Sequence, residues 1–121
     1  MRIALLGLGE AGSLYARGFL DAGHAVAGFD PADIPTPAGV DRRGSVADAL
    51  DGADLVLGLT GSRHARSVLE QALPHLAPGA VFAEMNSAAP ELKRQLADLV
   101  AQRQDVLFAD VAVVGSVPEG G

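Results

Sequence analysis

The stretch RIALLGLGEAG, residues 2 to 12, sets glycines at 7, 9 and 12 directly behind a short apolar run. No other feature narrows the folds open to this chain as far. A G-x-G-x-x-G pattern carries weight only where a strand gives way to a helix, and this one stands in that context. Gly7 would allow the tight turn, Gly9 would leave the backbone open to a close-approaching pyrophosphate, and Gly12 would let helix and strand pack together. A helix that starts here offers unpaired N–H groups and the positive end of its dipole to such an anion. Gly7, Leu8, Gly9, Glu10, Ala11 and Gly12 are therefore the candidate phosphate-side residues. The competing reading is a glycine-rich turn that binds nothing.

The remainder of the chain alternates strand-like apolar runs with helical patterns, the signature of a parallel sheet covered on both faces. Residues 3–6 form the first strand. A helix over 10–22, with Ala11, Leu14, Tyr15, Gly18 and Ala22 facing inward, is stopped by Gly23. Residues 25–29 form the second strand, and Pro31, Pro35 and Pro37 forbid the regular helix expected after it. Residues 40–42 read as a short third strand, and Ser45 caps a brief helix ending at Leu50. DLVLGLT, 54–60, is a fully buried fourth strand. A helix over 63–73 ends at Pro74, a fifth strand covers 80–84, and a helix over 88–102 turns Leu92, Leu96, Leu99 and Val100 inward. A sixth strand spans 106–114. The class is α/β, a doubly wound parallel sheet of the Rossmann type in strand order 3-2-1-4-5-6, and residues 1–121 read as one dinucleotide-binding domain.

Composition removes several functions. A formal charge of −6, with nine Lys and Arg in all, argues against nucleic acid or an anionic membrane as partner. The absence of cysteine excludes disulfides and thiolate metal sites and points to the cytoplasm. The leading apolar run is too short for a secretion signal, and no run approaches the ~20 residues of a membrane span.

An acid closes the second strand. Asp30 follows Gly12 by 30 − 12 = 18 positions, close to the ~20 expected of a carboxylate that accepts hydrogen bonds from the adenosine ribose. A carboxylate there favours NAD, because it repels a 2′-phosphate. Arg42 and Arg43 keep NADP open as the alternative, although both read as solvated surface. Asp30 also suits a turn before Pro31.

The segments GLGEAG (7–12), DAGHAVAGFD (21–30), ADLVLGLTGS (53–62), LAPGAVFAEMNS (76–87) and DVAVVGS (110–116) together resemble the N-terminal cofactor domain of the β-hydroxyacid dehydrogenases, the family of 3-hydroxyisobutyrate and 6-phosphogluconate dehydrogenases. The resemblance implies that Thr60 and Gly61 lie along the pyrophosphate and nicotinamide ribose. It implies the same ribose for Asn86 and Ser87, with Ser87 also suited to capping the helix before Pro90. It implies that Asp110, Val114, Gly115 and Ser116 belong to a loop that holds a small hydroxy acid. Here Val114 stands where the family has a Ser and Ser116 where it has a Gly, so the hydroxyl has moved by two positions.

Members of the family continue into a helical domain that supplies a general acid/base Lys and much of a homodimer interface. That domain is expected to be absent from these 121 residues. Lys93, the sole lysine, reads as solvated. His24, His64 and His75 read as surface. No metal ligand set is visible, and no residue here is assigned a catalytic role. Without the second domain, apolar surface near Val111, Val113 and Val117 is expected to be exposed. Two classes of function follow: the cofactor domain of a hydride-transferring oxidoreductase, or a stand-alone NAD(H)-binding module.

Overall fold

The computed structural model of the chain describes residues 1–86 and 89–111. Six strands, β1 (Arg2–Leu6), β2 (Ala25–Phe29), β3 (Asp41–Arg42), β4 (Leu55–Gly58), β5 (Val81–Glu84) and β6 (Leu107–Asp110), form one sheet. Their order is β3-β2-β1-β4-β5-β6, and every neighbouring pair is parallel. The first strand is therefore central, with Ile3 in register with Val26 on one side and Leu55 on the other. Parallel neighbours need crossovers, and α1 (Glu10–Asp21), α2 (Val46–Ala49), α3 (Ser62–Ala72) and α4 (Pro90–Ala101) lie in four of them. The proline-bearing segment between β2 and β3 has no helix, as its sequence requires.

Alternation along each strand sorts the core into two layers. Ala4, Leu6, Val56 and Phe82 meet Ala65 and Leu69 of α3 and Leu96 and Val100 of α4. Ile3, Leu5, Leu57 and Ala83 meet α1 on the opposite face, through Ala16, Tyr15, Phe19 and Leu20. Among the described residues α1 is the one helix contributing to this second layer. Over β4 to β6 its outer members Leu55, Met85, Ala109 and Val111 are only partly buried, and Leu107 is 65% exposed. The expectation of apolar exposure at Val111 thus holds in part; Val113 and Val117 lie outside the described residues.

The inward face of α1 differs from the expected one. Gly12 and Ala16 are its buried residues, whereas Leu14 is 64% exposed. The close packing of Gly12 against the preceding turn sets the helix's rotation, and that contact outweighs the pull of a single leucine. Strand ends are also shorter than the apolar runs suggest. The fourth strand stops at Gly58 rather than Thr60, and the sixth is described to Asp110, with the expected continuation to Val114 outside the described residues. Ser45 caps α2 as expected, its Oγ accepting from the Asp48 N–H at 3.1 Å. The N-cap of α4 is Ala89, with Pro90 in the first turn; Ser87 lies outside the described residues. No helix among the described residues is long and apolar enough to cross a membrane.

Leu96 is fully buried in the layer that α3 and α4 share. Leu96→Ala is expected to cost ~2–5 kcal/mol in urea unfolding; a loss under ~0.5 kcal/mol would mean that α4 is not part of this core.

Candidate functional site

The glycines of the β1–α1 turn do different jobs. Gly7 has φ +118°, and a Cβ on it would lie 2.6 Å from the Leu59 carbonyl oxygen. A Cβ on Gly12 would overlap the Gly7 carbonyl. Both positions therefore need glycine for the fold itself. Gly9 does not: a Cβ there would meet nothing within 4 Å. Gly9 is the N-cap of α1 and supplies no side-chain cap, so the first N–H groups of the helix, those of Glu10 and Ala11 among them, have no side-chain partner. The Leu8 side chain is buried and presses on Gly28, where a Cβ would sit 2.6 Å from Leu8 Cδ2.

Asp30 closes the other side of this turn. Its Oδ2 accepts from the Leu8 N–H at 2.9 Å, and its Oδ1 accepts from the Ala32 N–H at 2.9 Å. The second bond is the turn geometry that an Asp before Pro31 suggests. The first joins the end of β2 to the glycine loop. A cleft of about 510 Å³ opens here, with Gly9 and Asp30 in its wall beside Leu6, Phe29, Val46, Leu59 and Val68. His64 of α3 and Thr60 also border it. Its position at the carboxyl ends of β1, β2 and β4, where strand order reverses, is where open α/β sheets hold ligands.

A second group of polar atoms sits past β4 and β5. The Gly61 N–H donates to Asn86 Oδ1 at 2.8 Å, tying the two loops together. Thr60 Oγ1 and Asn86 Nδ2 are buried without a hydrogen-bond partner. Buried polar atoms rarely stay unpaired, and these suit the hydroxyls of a nucleotide ribose. The residues present thus fit a dinucleotide: uncapped N–H groups and an open Gly9 for phosphate, and a carboxylate in the cleft wall and orphaned polar atoms past β4 and β5 for sugars.

Glu84 was not singled out from sequence. It is 1% exposed, with Oε2 unpaired, and a Cβ on Gly58 would lie 2.9 Å from its Oε1. Burial pushes its carboxyl above the ordinary carboxylate range, opposed by the Asn86 side chain and by the Lys93 ammonium. The available signal was an acid ending an apolar strand opposite a glycine. Lys93, expected in solvent, is instead 13% exposed and donates to Asp110 Oδ1 at 2.5 Å. The helix brings it over the carboxyl ends of β5 and β6, where two acids outweigh solvation. Asp110, a candidate for substrate, is thereby held by Lys93 on one carboxylate oxygen.

Arg42 and Arg43, both expected in solvent, are also engaged. Arg43 pairs with Asp41 at 2.8 Å and Asp48 at 3.1 Å. Arg42 donates to the carbonyls of Asp30, Ala32 and Ile34. The Ala32 carbonyl also accepts from the Ile34 N–H at 2.9 Å, and in this helix-free segment the guanidinium supplies a donor to all three carbonyls. His64 and His75 are exposed, as expected, and His24 Nδ1 lies 3.0 Å from the amino terminus. No group of three His, Cys, Asp or Glu among the described residues could hold a metal ion. Ser87, Val114, Gly115 and Ser116 lie outside the described residues.

The family model of the NAD binding domain of 6-phosphogluconate dehydrogenase matches residues 2–120. Among solved structures, the chain is 30% identical to the Mycobacterium tuberculosis 3-hydroxyisobutyrate dehydrogenase solved with L-serine, with a TM-score of 0.84 over 94% of this chain and 40% of that one. A conserved hypothetical protein from Sinorhizobium meliloti 1021 is 30% identical, with a TM-score of 0.83 over 98% of this chain and 43% of that one. A variant imine reductase from Myxococcus stipitatus in complex with NAD+ shares the fold at 21% identity, with a TM-score of 0.83 over 95% of this chain and 41% of that one. The chain thus spans less than half the length of each. No curated protein matches it.

Glu84 gives the site a pH signature. Its folded-state pKa is raised, so its carboxyl is held more easily in the acid form than in the unfolded chain, and stability falls as pH rises through the raised value. Glu84→Gln is expected to raise the urea midpoint at pH 8 and to leave it nearly unchanged at pH 4. A variant destabilised equally at both would show that the charge carries no such penalty.

Proposed function

The chain belongs to the family of the NAD binding domain of 6-phosphogluconate dehydrogenase, and from that premise we propose that it is the cofactor-holding part of an oxidoreductase that moves a hydride between nicotinamide and a small hydroxy acid. The observation that carries the proposal is Gly9, a glycine that the fold does not need and that borders the cleft. Its missing side chain makes room for a phosphate against the first turn of α1.

Bound NAD would supply the hydride acceptor, and the chain's residues would hold it. The pyrophosphate would take the N–H groups at the start of α1, over Gly7, Leu8, Gly9, Glu10, Ala11 and Gly12. Asp30 has lone pairs to spare beyond the two N–H groups it accepts, and these would take the adenosine ribose hydroxyls. That arrangement favours NAD over NADP, whose 2′-phosphate would meet a carboxylate. Thr60, Gly61, Asn86 and Ser87 would hold the nicotinamide ribose. Asp110, Val114, Gly115 and Ser116 would border the substrate, with Lys93 fixing Asp110 and hence the start of that segment. The proton and the enclosure of the substrate would come from a helical domain packed on the partly open face of β4 to β6, in the cytoplasm and as a homodimer. In that division of labour this domain orients the cofactor, and the other excludes water and supplies the general acid/base.

Gly9→Val is expected to melt like the unaltered chain but to bind NAD(H) ~5- to 150-fold more weakly in calorimetry, since overlap in a packed site costs ~1–3 kcal/mol. Equal affinity would refute the placement of the pyrophosphate. Charge-assisted hydrogen bonds are worth ~1.5–3 kcal/mol, so Asp30→Ala should weaken NAD by about tenfold to a hundredfold and narrow its lead over NADP. A preference of the unaltered chain for NADP would remove Asp30 from the ribose. With NAD and a panel of small hydroxy acids, residues 1–121 alone should give no enzyme-like rise in NADH absorbance. Robust turnover would mean that a general acid/base lies within them, with His64 and Lys93 the first to replace.

A further inference from the structure

The segment between β2 and β3 carries Asp30 at its start and three prolines, and no helix. Its carbonyls converge on a single side chain. Arg42 Nη2 donates to the carbonyls of Asp30 at 2.9 Å and Ala32 at 2.6 Å. Arg42 Nη1 donates to the carbonyl of Ile34 at 2.5 Å and to Thr36 Oγ1 at 3.3 Å. A planar guanidinium presents its N–H groups in a fixed fork, and here the two terminal nitrogens grip alternate carbonyls of one loop. Arg42 is itself held, because β3 is in register with β2 at Gly28, and the next residue donates its N–H to the Gly28 carbonyl at 2.8 Å.

The consequence falls on Asp30. Ala32 is gripped from both sides, its carbonyl by Arg42 and its N–H by Asp30 Oδ1, while Asp30 Oδ2 takes the Leu8 N–H. The carboxylate is thus aimed along the cleft wall by a loop whose shape Arg42 imposes. Among the described residues Arg42 forms no ion pair within 4 Å with Asp30, so the carboxylate oxygens at the cleft wall are bonded only to the Leu8 and Ala32 N–H groups and keep lone pairs open. Arg42 is spent on backbone carbonyls rather than on the carboxylate, and so leaves Asp30 free to accept from ribose hydroxyls.

We propose that Arg42 is a positioning residue for cofactor choice: by clamping the carbonyls of residues 30, 32 and 34 it holds the Asp30 carboxylate where it accepts ribose hydroxyls and rejects a 2′-phosphate. The proposal rests on the reading that NAD occupies this cleft with its adenosine ribose at Asp30. Arg42 touches no cofactor atom and acts through Asp30.

The test uses the chain of residues 1–121, with NAD+ and NADP+ titrated separately into the unaltered protein, Arg42→Gln, Arg42→Lys, Asp30→Ala and the double variant. Arg42→Gln is expected to weaken NAD+ by about tenfold and to leave NADP+ unchanged or tighter, collapsing the preference. Arg42→Lys keeps the charge but not the fork, and should lose part of the preference while folding normally. In the Asp30→Ala background Arg42→Gln should change the NAD+ to NADP+ ratio no further, because residues acting through one another are not additive. If the unaltered chain shows no NAD+ preference, the reading of Asp30 fails and the proposal falls with it. If that preference is present but Arg42→Lys and any folded Arg42→Gln weaken both cofactors equally, Arg42 is a structural clamp only and the proposal alone is overturned. A shift of the ratio that persists without Asp30 would likewise overturn it, since Arg42 would then act on the cofactor directly.

Discussion

Where β1 turns into α1, two stretches of backbone come into contact, and most of the site depends on that contact. Gly7 lies over the Leu59 carbonyl and Gly12 lies under the Gly7 carbonyl, each with no room for a side chain. The first contact brings the loop after β4 against the turn. The second pulls the start of α1 onto the sheet and fixes the helix's rotation, so that Ala16 faces the core and Leu14 faces out. The same approach leaves the uncapped first turn of α1 at the carboxyl edge of the central strand, beside the cleft.

A parallel sheet gathers its strand ends on one edge, and this chain places its buried polar atoms there. Thr60, Glu84 and Asn86 each follow or end a strand whose interior is apolar. Burying an unpaired polar atom costs free energy, so atoms of this kind concentrated at one edge mark a place kept for something other than the core. Glu84 is the extreme case: burial raises its carboxyl's pKa while Lys93 and Asn86 pull the other way. Lys93, held by Asp110 on the adjoining strand, joins α4 to the end of β6.

The adenosine end is built by other means. A helix between β2 and β3 would have satisfied its own carbonyls; the prolines prevent one, and Arg42 takes over that role for alternate residues of the loop. One side chain on a two-residue strand thus ties together backbone along the first half of this segment. Arg43, its neighbour, secures that strand from the other side by pairing with Asp41 and Asp48.

Class and glycine turn were legible in one dimension, because they rest on periodicity and on spacing along the chain, and the strand order followed from the Rossmann-type pattern that the glycines mark. Six strands stood in the alternation of apolar runs, Ser45 was legible as a cap, and Asp30 stood at the expected distance from Gly12. Strand ends were less legible, since DLVLGLT reads as apolar to Thr60 while pairing stops at Gly58. Which glycine the fold needs and which it leaves free could not be read from G-x-G-x-x-G, because that depends on what lies across the turn: Leu59, more than fifty residues from Gly7, lies against one, and no atom lies near Gly9. Lys93, Arg42 and Glu84 were misread or passed over for the same reason. A charged side chain looks like solvent-facing surface in one dimension, and only the tertiary structure brings it to Asp110, to three loop carbonyls, or into the space above Gly58, where partners or their absence decide what its charge does.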